Sequence, residues 1–251
     1  MNMLLRMSLR CSVQAASRSF GRVFALGTLA ILVGCAAPPQ RNLEESASVA
    51  WPSFAAPQAA ERVYRVDTAA SELRIRVDPE GAMARLGHSH IIGGSVLSGM
   101  VVLGDGHRSA RLDLRLDASA LEVDRPQWRA EAGLKAELDE AAISGTRDNM
   151  LGERVLDAKR HPEIAIRSIG VEGPAWLPDV TVRIRVRGQV REVVVPVAVK
   201  LAGTRLTASG MLDLLQSDFG IEPFSTAGGA LRVSDRMRIR FRIIAENAAG
   251  Q

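Results

Sequence analysis

Apolar and polar positions alternate along most of the chain from residue 73 onward. Leu73, Ile75 and Val77 are separated by Arg74 and Arg76, and Leu112, Leu114 and Leu116 by charged residues. Val180, Val182, Ile184 and Val186 are spaced by Thr181, Arg183 and Arg185, and Met237, Ile239, Phe241 and Ile243 by Arg238, Arg240 and Arg242. A period of two puts the two sets on opposite faces of a strand, and clean alternation marks antiparallel sheets with one buried face and one wet face. Turn chemistry separates the runs at Gly104-Asp105-Gly106, Arg187-Gly188-Gln189 and Gly203-Thr204. With further apolar runs at 95–103, 163–171, 190–201 and 205–215, the count reaches about eight strands, enough to close a barrel. The predicted fold class is all-β, an antiparallel barrel with an apolar interior.

One region breaks the period. Asp124, followed by Pro126, Gln127 and Trp128, reads as a helix start, with a side-chain acceptor for free backbone N–H groups and proline in the first turn. Leu134 and Leu138 then fall one helical turn apart, and Gly145 precedes a second, shorter run at 147–157. The pattern predicts a helical insertion capping one mouth of the barrel.

The start of the chain changes the electrostatic picture. Arg6, Arg10, Arg18 and Arg22 precede an apolar run from Val23 to Val33, which ends at Gly34-Cys35. That run is well short of the roughly 20 residues that span a bilayer, and its order of basic, apolar and small segments is that of a signal peptide. Leu32-Val33-Gly34-Cys35 resembles a bacterial lipobox. The resemblance implies acylation of Cys35 as the mature N-terminus and, with Ala36 rather than aspartate beside it, sorting to the outer membrane facing the periplasm. The four arginines of this leader account for the whole formal charge of +4. The remaining chain is near neutral with its signs interleaved, as in Arg111, Asp113, Arg115 and Asp117, which excludes an electrostatic nucleic-acid binder. Of the 2 cysteines, Cys11 leaves with the leader and Cys35 carries lipid, so no disulfide supports the fold. Residues 36–61, rich in Ala, Pro, Ser and Gln, read as a flexible tether. The expected organisation is therefore signal peptide 1–34, tether 35–61, barrel domain 62–247 and a short tail 248–251.

Several landmarks resemble a known family. Tyr64-Arg65-Val66-Asp67 opens the domain; Thr146-Arg147-Asp148-Asn149-Met150-Leu151 leads to Val155-Leu156-Asp157 and His161-Pro162-Glu163-Ile164; Gly188-Gln189-Val190-Arg191 precedes a Val-rich strand; Ser217-Asp218-Phe219-Gly220-Ile221 sits before the last one. In this order they are similar to the YceI-like family. The resemblance implies a lipocalin-like barrel, periplasmic or secreted, and a ligand of the polyisoprenoid kind held in a long apolar cavity. Two departures stand out: Leu86-Gly87-His88-Ser89-His90-Ile91-Ile92-Gly93-Gly94 replaces an aromatic-rich segment, and the insertion before Thr146 is longer.

The expected partners are an isoprenoid-like or other lipid ligand and a membrane reached through the anchor, with no cofactor. Leu73, Ile75, Val77, Leu112, Leu114, Val182, Ile184, Ile239 and Phe241 are the candidate cavity residues; the bland alternative is a core filled by the barrel's own side chains. If 87–92 is extended, His88 and His90 share a face and reach one anionic head group or one cation. A metal site needs a third ligand, for which His161 and Asp148 are the candidates, and the structural alternative is that both histidines satisfy backbone groups at a glycine-rich bend. His107 is expected as an exposed turn residue. No nucleophile elbow or phosphate-cradling glycine loop is present, so the chain reads as a binding protein rather than an enzyme. Its rival readings are a metal or small-molecule sensor using His88 and His90, and a non-catalytic anchored interaction module.

Overall fold

The computed structural model describes residues 49–134 and 138–248. The leader, Cys35 and residues 249–251 lie outside the described residues. Twelve strands form one antiparallel sheet: β1 (Arg62–Val66), β2 (Glu72–Glu80), β3 (His90–Gly94), β4 (Ser98–Leu103), β5 (Arg111–Asp117), β6 (Glu122–Val123), β7 (Glu163–Glu172), β8 (Asp179–Val186), β9 (Gln189–Ala202), β10 (Arg205–Leu215), β11 (Ser225–Thr226) and β12 (Leu231–Asn247). The ring runs β1-β4-β5-β7-β8-β9-β10-β12 and closes where β12 returns to β1. It is an eight-stranded closed barrel.

β12 is the seam. One edge pairs with β10 from Arg205↔Glu246 to Leu215↔Arg236. The other is shared by β1, through Tyr64↔Asn247, and β2, through Glu72↔Arg242 to Glu80↔Arg232. β4 continues beside β1, and β3 beside β2. The apolar run expected at 95–103 is thus one strand, β4, which starts at Ser98, and residues 95–97 separate it from β3. Gly93 allows β3 to approach β2 closely, because a Cβ there would sit 2.0 Å from the Leu73 carbonyl oxygen.

The insertion differs in detail from its sequence reading. The first helix, α1, is Pro126–Glu131, capped at Arg125 without a side-chain hydrogen bond. Gly133 ends it with φ +66, so Leu134 does not extend the helix. The second helix, α2, is the longer one, Glu140–Leu151, started by Asp139 accepting from the Ala142 N–H, and it runs straight through Gly145. Asp124, expected as the cap, is buried instead. His107 is half-buried rather than exposed, with Nε2 2.8 Å from the Gly173 carbonyl oxygen.

Residues 49–61, within the span read as a tether, lie along the outer face of β5, β7 and β8. Arg183 donates to the Ala50 carbonyl, Arg167 to that of Pro52, and Arg111 to those of Ala55 and Ala56. The Trp51 ring sits under Arg185 at 4.6 Å and Arg167 at 5.1 Å, and Phe54 under Arg167 at 5.5 Å and Arg111 at 5.6 Å. Glu61 closes the strap with two oxygens on Arg111, at 2.5 and 2.7 Å. A composition too polar for a core of its own is ordered here by guanidinium groups that β-alternation places in an outward row.

The Arg111 hydrogen bonds, then the Gln58 N–H, hold the Glu61 carboxyl at about 2 against an ordinary 4.5. A depressed carboxyl stabilises the fold above its unfolded value, and that contribution is lost as pH falls from 4.5 toward 2. Glu61→Gln should therefore lower the melting temperature at neutral pH, and the gap from the unaltered chain should close in acid across that window, as read by thermal denaturation in a pH series. Trp51→Ala should cost about 1–2 kcal/mol, the scale of two part-exposed cation–π contacts, measured by urea unfolding.

Candidate functional site

The barrel interior encloses a cavity of about 830 Å³. Leu73, Ile75 and Val77 of β2, Leu112 and Leu114 of β5, Val182 and Ile184 of β8, and Ile239 and Phe241 of β12 all line it. Sequence reasoning did not anticipate Met150 of α2 or Leu156 after it, which line the cavity from the insertion and cover one mouth. Along β8 the lining runs from Val180 to Val186, six residue steps, so the space extends roughly 20 Å at about 3.4 Å per residue.

The interior is not filled by its own side chains. Leu112, Ile166, Ile239 and Phe241 belong to the core clusters yet are only half-buried, because one side of each faces the cavity. The rows are mostly Val, Ile and Leu, and Phe241 packs against Gly210: a Cβ on Gly210 would meet the ring at 2.8 Å. The largest side chain of the row is thereby held against the wall.

The two ends differ. At the end formed by the starts of β5 and β8, Arg111, Ser168 and His107 have protein partners, and Trp176 stands 68% exposed at the rim. At the other end Asp78 accepts from Ser89 Oγ at 2.7 Å and Arg76 Nε at 2.8 Å, and Gln216 donates to the Ser234 carbonyl. His88 lies exposed at this rim.

His90, opposite Val77 in the β2–β3 register, points its ring to the same end. Its Nδ1 is 2.5 Å from Asp124 Oδ2. The Asp124 side chain is 0% exposed, on a residue with φ +54, a region that non-glycine residues seldom occupy. Its Oδ1 accepts from the Ile91 N–H at 2.9 Å and from Arg129 Nη1 at 2.8 Å, and Arg129, from α1, also donates to the Ser89 carbonyl. Burial pushes this carboxyl up, but the hydrogen bonds from His90, Ile91 and Arg129 outweigh it and hold it below its ordinary range. An ionised carboxylate has no proton to donate, so Nδ1 carries the hydrogen of this pair. Among the described residues nothing hydrogen-bonds the His90 Nε2. No local sequence signal marks Asp124 as a buried ion: its partners come from β3 and from α1.

Among the described residues no group of three or more His, Cys, Asp or Glu side chains is placed to hold a metal. His161 packs beside Gly188, where a Cβ would meet its ring at 3.5 Å.

The YceI-like domain model matches residues 64–245. A solved structure of BcnA from Burkholderia cenocepacia is similar at 18% identity and a TM-score of 0.54, covering 72% of this chain and 99% of BcnA. A Campylobacter jejuni YceI protein is similar at 11% identity and a TM-score of 0.45, covering 60% of this chain and 80% of that protein. No curated protein matches the chain.

Removing one partner of a buried ion pair leaves the other charge uncompensated, at about 3–5 kcal/mol. Asp124→Ala should cost that much in urea unfolding, whereas His90→Gln, which keeps a neutral donor and leaves the Asp124–Arg129 pair intact, should cost less than about 1 kcal/mol.

Proposed function

Because the chain belongs to the YceI-like family, whose barrels are known for binding hydrophobic ligands and are generally binding proteins rather than enzymes, we propose that it holds a long-chain lipidic ligand, isoprenoid-like or otherwise, inside the barrel. The observation that carries this reading is the apolar cavity of about 830 Å³, walled by alternating aliphatic rows. Its size is within the range of about 300–1,000 Å³ common for ligand pockets. The mechanism is burial. Each CH₂ removed from water contributes about 0.8 kcal/mol, so a long tail binds with few polar contacts. Ligand exchange needs an opening, and the rim near Trp176 and the histidine end beneath the insertion are the two routes.

The same proposal places the protein at the periplasmic face of the outer membrane, anchored by acyl chains on Cys35. The support is sequence alone: the lipobox-like Leu32-Val33-Gly34-Cys35 after an arginine-bearing apolar leader. Two acyl chains hold a protein to a bilayer far more firmly than one.

Native mass spectrometry of the purified chain should show a co-purified lipid mass that organic extraction removes. Val182→Trp should abolish that lipid while changing stability by less than about 1 kcal/mol, since a ligand-sized space accepts the ring; overpacking a filled core typically costs about 1–3 kcal/mol. A large stability loss with no lipid in the unaltered protein would overturn the reading. Cys35→Ser should move the protein from the membrane fraction to the soluble periplasmic fraction.

A further inference from the structure

Resting on the cavity and anchor readings above, we infer that the Trp176 end of the barrel docks on a phospholipid bilayer and passes the ligand through its mouth without a step in water. The inward rows overshoot the wall at this end. On β9 the cavity-lining row runs Val195, Val197, Val199 and Leu201, and its exposure rises from 5% at Val195 to 43% at Leu201. Ahead of β8 the matching row starts at Trp176, 68% exposed, and continues through Pro178 and Val180. The Val199 N–H donates to the Trp176 carbonyl and the Val197 N–H to that of Pro178, so the ladder extends beyond β8 and holds this lip in line with the wall. The lip is uncharged from Gly173 to Pro178 and from Leu201 to Thr204, and its neighbours Asp179 and Lys200 fall on the outward face by alternation.

A bilayer is the occupant that fits. A long-chain ligand that left a membrane through water would expose its whole tail, whereas a mouth seated on the bilayer joins two apolar media. Tryptophan, with an apolar ring and a single N–H donor, favours the depth where acyl chains meet head groups. The opposite end is built otherwise. Met150 and Leu156 cover it, and its exposed Met83 and Leu86 lie either side of Arg85, with Asp78 and Arg232 lining the rim. The route of the chain agrees with the Trp176 end. Ala50 meets Arg183, four residues beyond the start of β8 and so roughly 14 Å from the β7–β8 turn, which puts the entry of the chain on the wall that carries Trp176. Thirteen residues separate Cys35 from Val49, a reach of up to about 50 Å, ample for this mouth to meet the membrane that holds the anchor.

The test uses the chain as isolated from cells, mixed with phosphatidylcholine vesicles whose acyl chains carry bromine, which quenches tryptophan fluorescence on contact. Of the 3 tryptophans, Trp128 is buried and Trp51 lies under arginines, so the quenching should come from Trp176 and vanish in Trp176→Phe. Leu201→Glu should cut it at least about threefold, since docking would then dehydrate a charge, while Leu86→Glu at the opposite end should leave it unchanged. Both leucines are exposed, so neither substitution disturbs the core, and the measurement on the unaltered chain needs no variant. Vesicles that leave Trp176 unquenched, quenching that survives Trp176→Phe, or quenching that Leu86→Glu removes and Leu201→Glu spares, overturns the docking. The cavity is read separately, by native mass spectrometry. Quenching with no lipid mass overturns the passage of a ligand along with the cavity reading; a lipid mass without quenching overturns the docking alone.

Discussion

Everything in this molecule depends on closure of the sheet at β12. A seventeen-residue strand that pairs β10 along one edge and both β1 and β2 along the other fixes the ring at eight positions. Once strand number and stagger are fixed, the internal width follows from backbone geometry, not from the volume of the side chains that point inward. The inward rows are Val, Ile and Leu with few large rings, too little volume to fill that width. The cavity is a consequence of closing a barrel of this size around aliphatic rows.

An apolar void is costly to maintain, because its lining loses dispersion contacts on one side and no water takes their place. The fold offsets this from the outside as much as from within. Backbone ladders close the ring, with one register shift between Ser168 and Gly170 of β7, and cross-strand ion pairs such as Arg183–Glu192 and Arg185–Glu163 cover the wet face. The strap at 49–61 adds its carbonyls, Trp51 and Phe54 to the same arginine rows. Each contact is modest, but together they brace the β5-β7-β8 wall, the part of the ring farthest from the seam.

Legibility in the sequence follows the range of the interaction. Alternation is local, so the inward rows and hairpin turns could be read directly, and Val182, Ile184 and their counterparts line the cavity. The break between β3 and β4 was hidden, since a ring position shared by two strands leaves no mark in a period of two. α1 and α2 were misplaced because Asp124 has the local signature of a helix cap, and only long-range partners reveal it as a buried ion. The strap was read as tether because its composition cannot form a core; what orders it is an arginine row that lies far away in sequence. Whether the interior is filled was not legible either, being a property of ring closure and summed volume, which no single strand encodes.

Asp124 shows where the fold departs from the least costly arrangement. A carboxylate without exposure, on a left-handed residue, is among the less favourable things a chain can place beside a barrel mouth. Three donors, one of them the Arg129 guanidinium, make it tolerable. An aliphatic residue in an extended conformation would plug the same gap between β6 and α1 with no ion to satisfy. The difference between the two solutions is the orientation of the His90 ring, which Asp124 holds through Nδ1 at one end of the cavity. Strain and buried charge held in place by this many partners localise to functional positions more often than to packing, and here they converge on a histidine that lines the cavity.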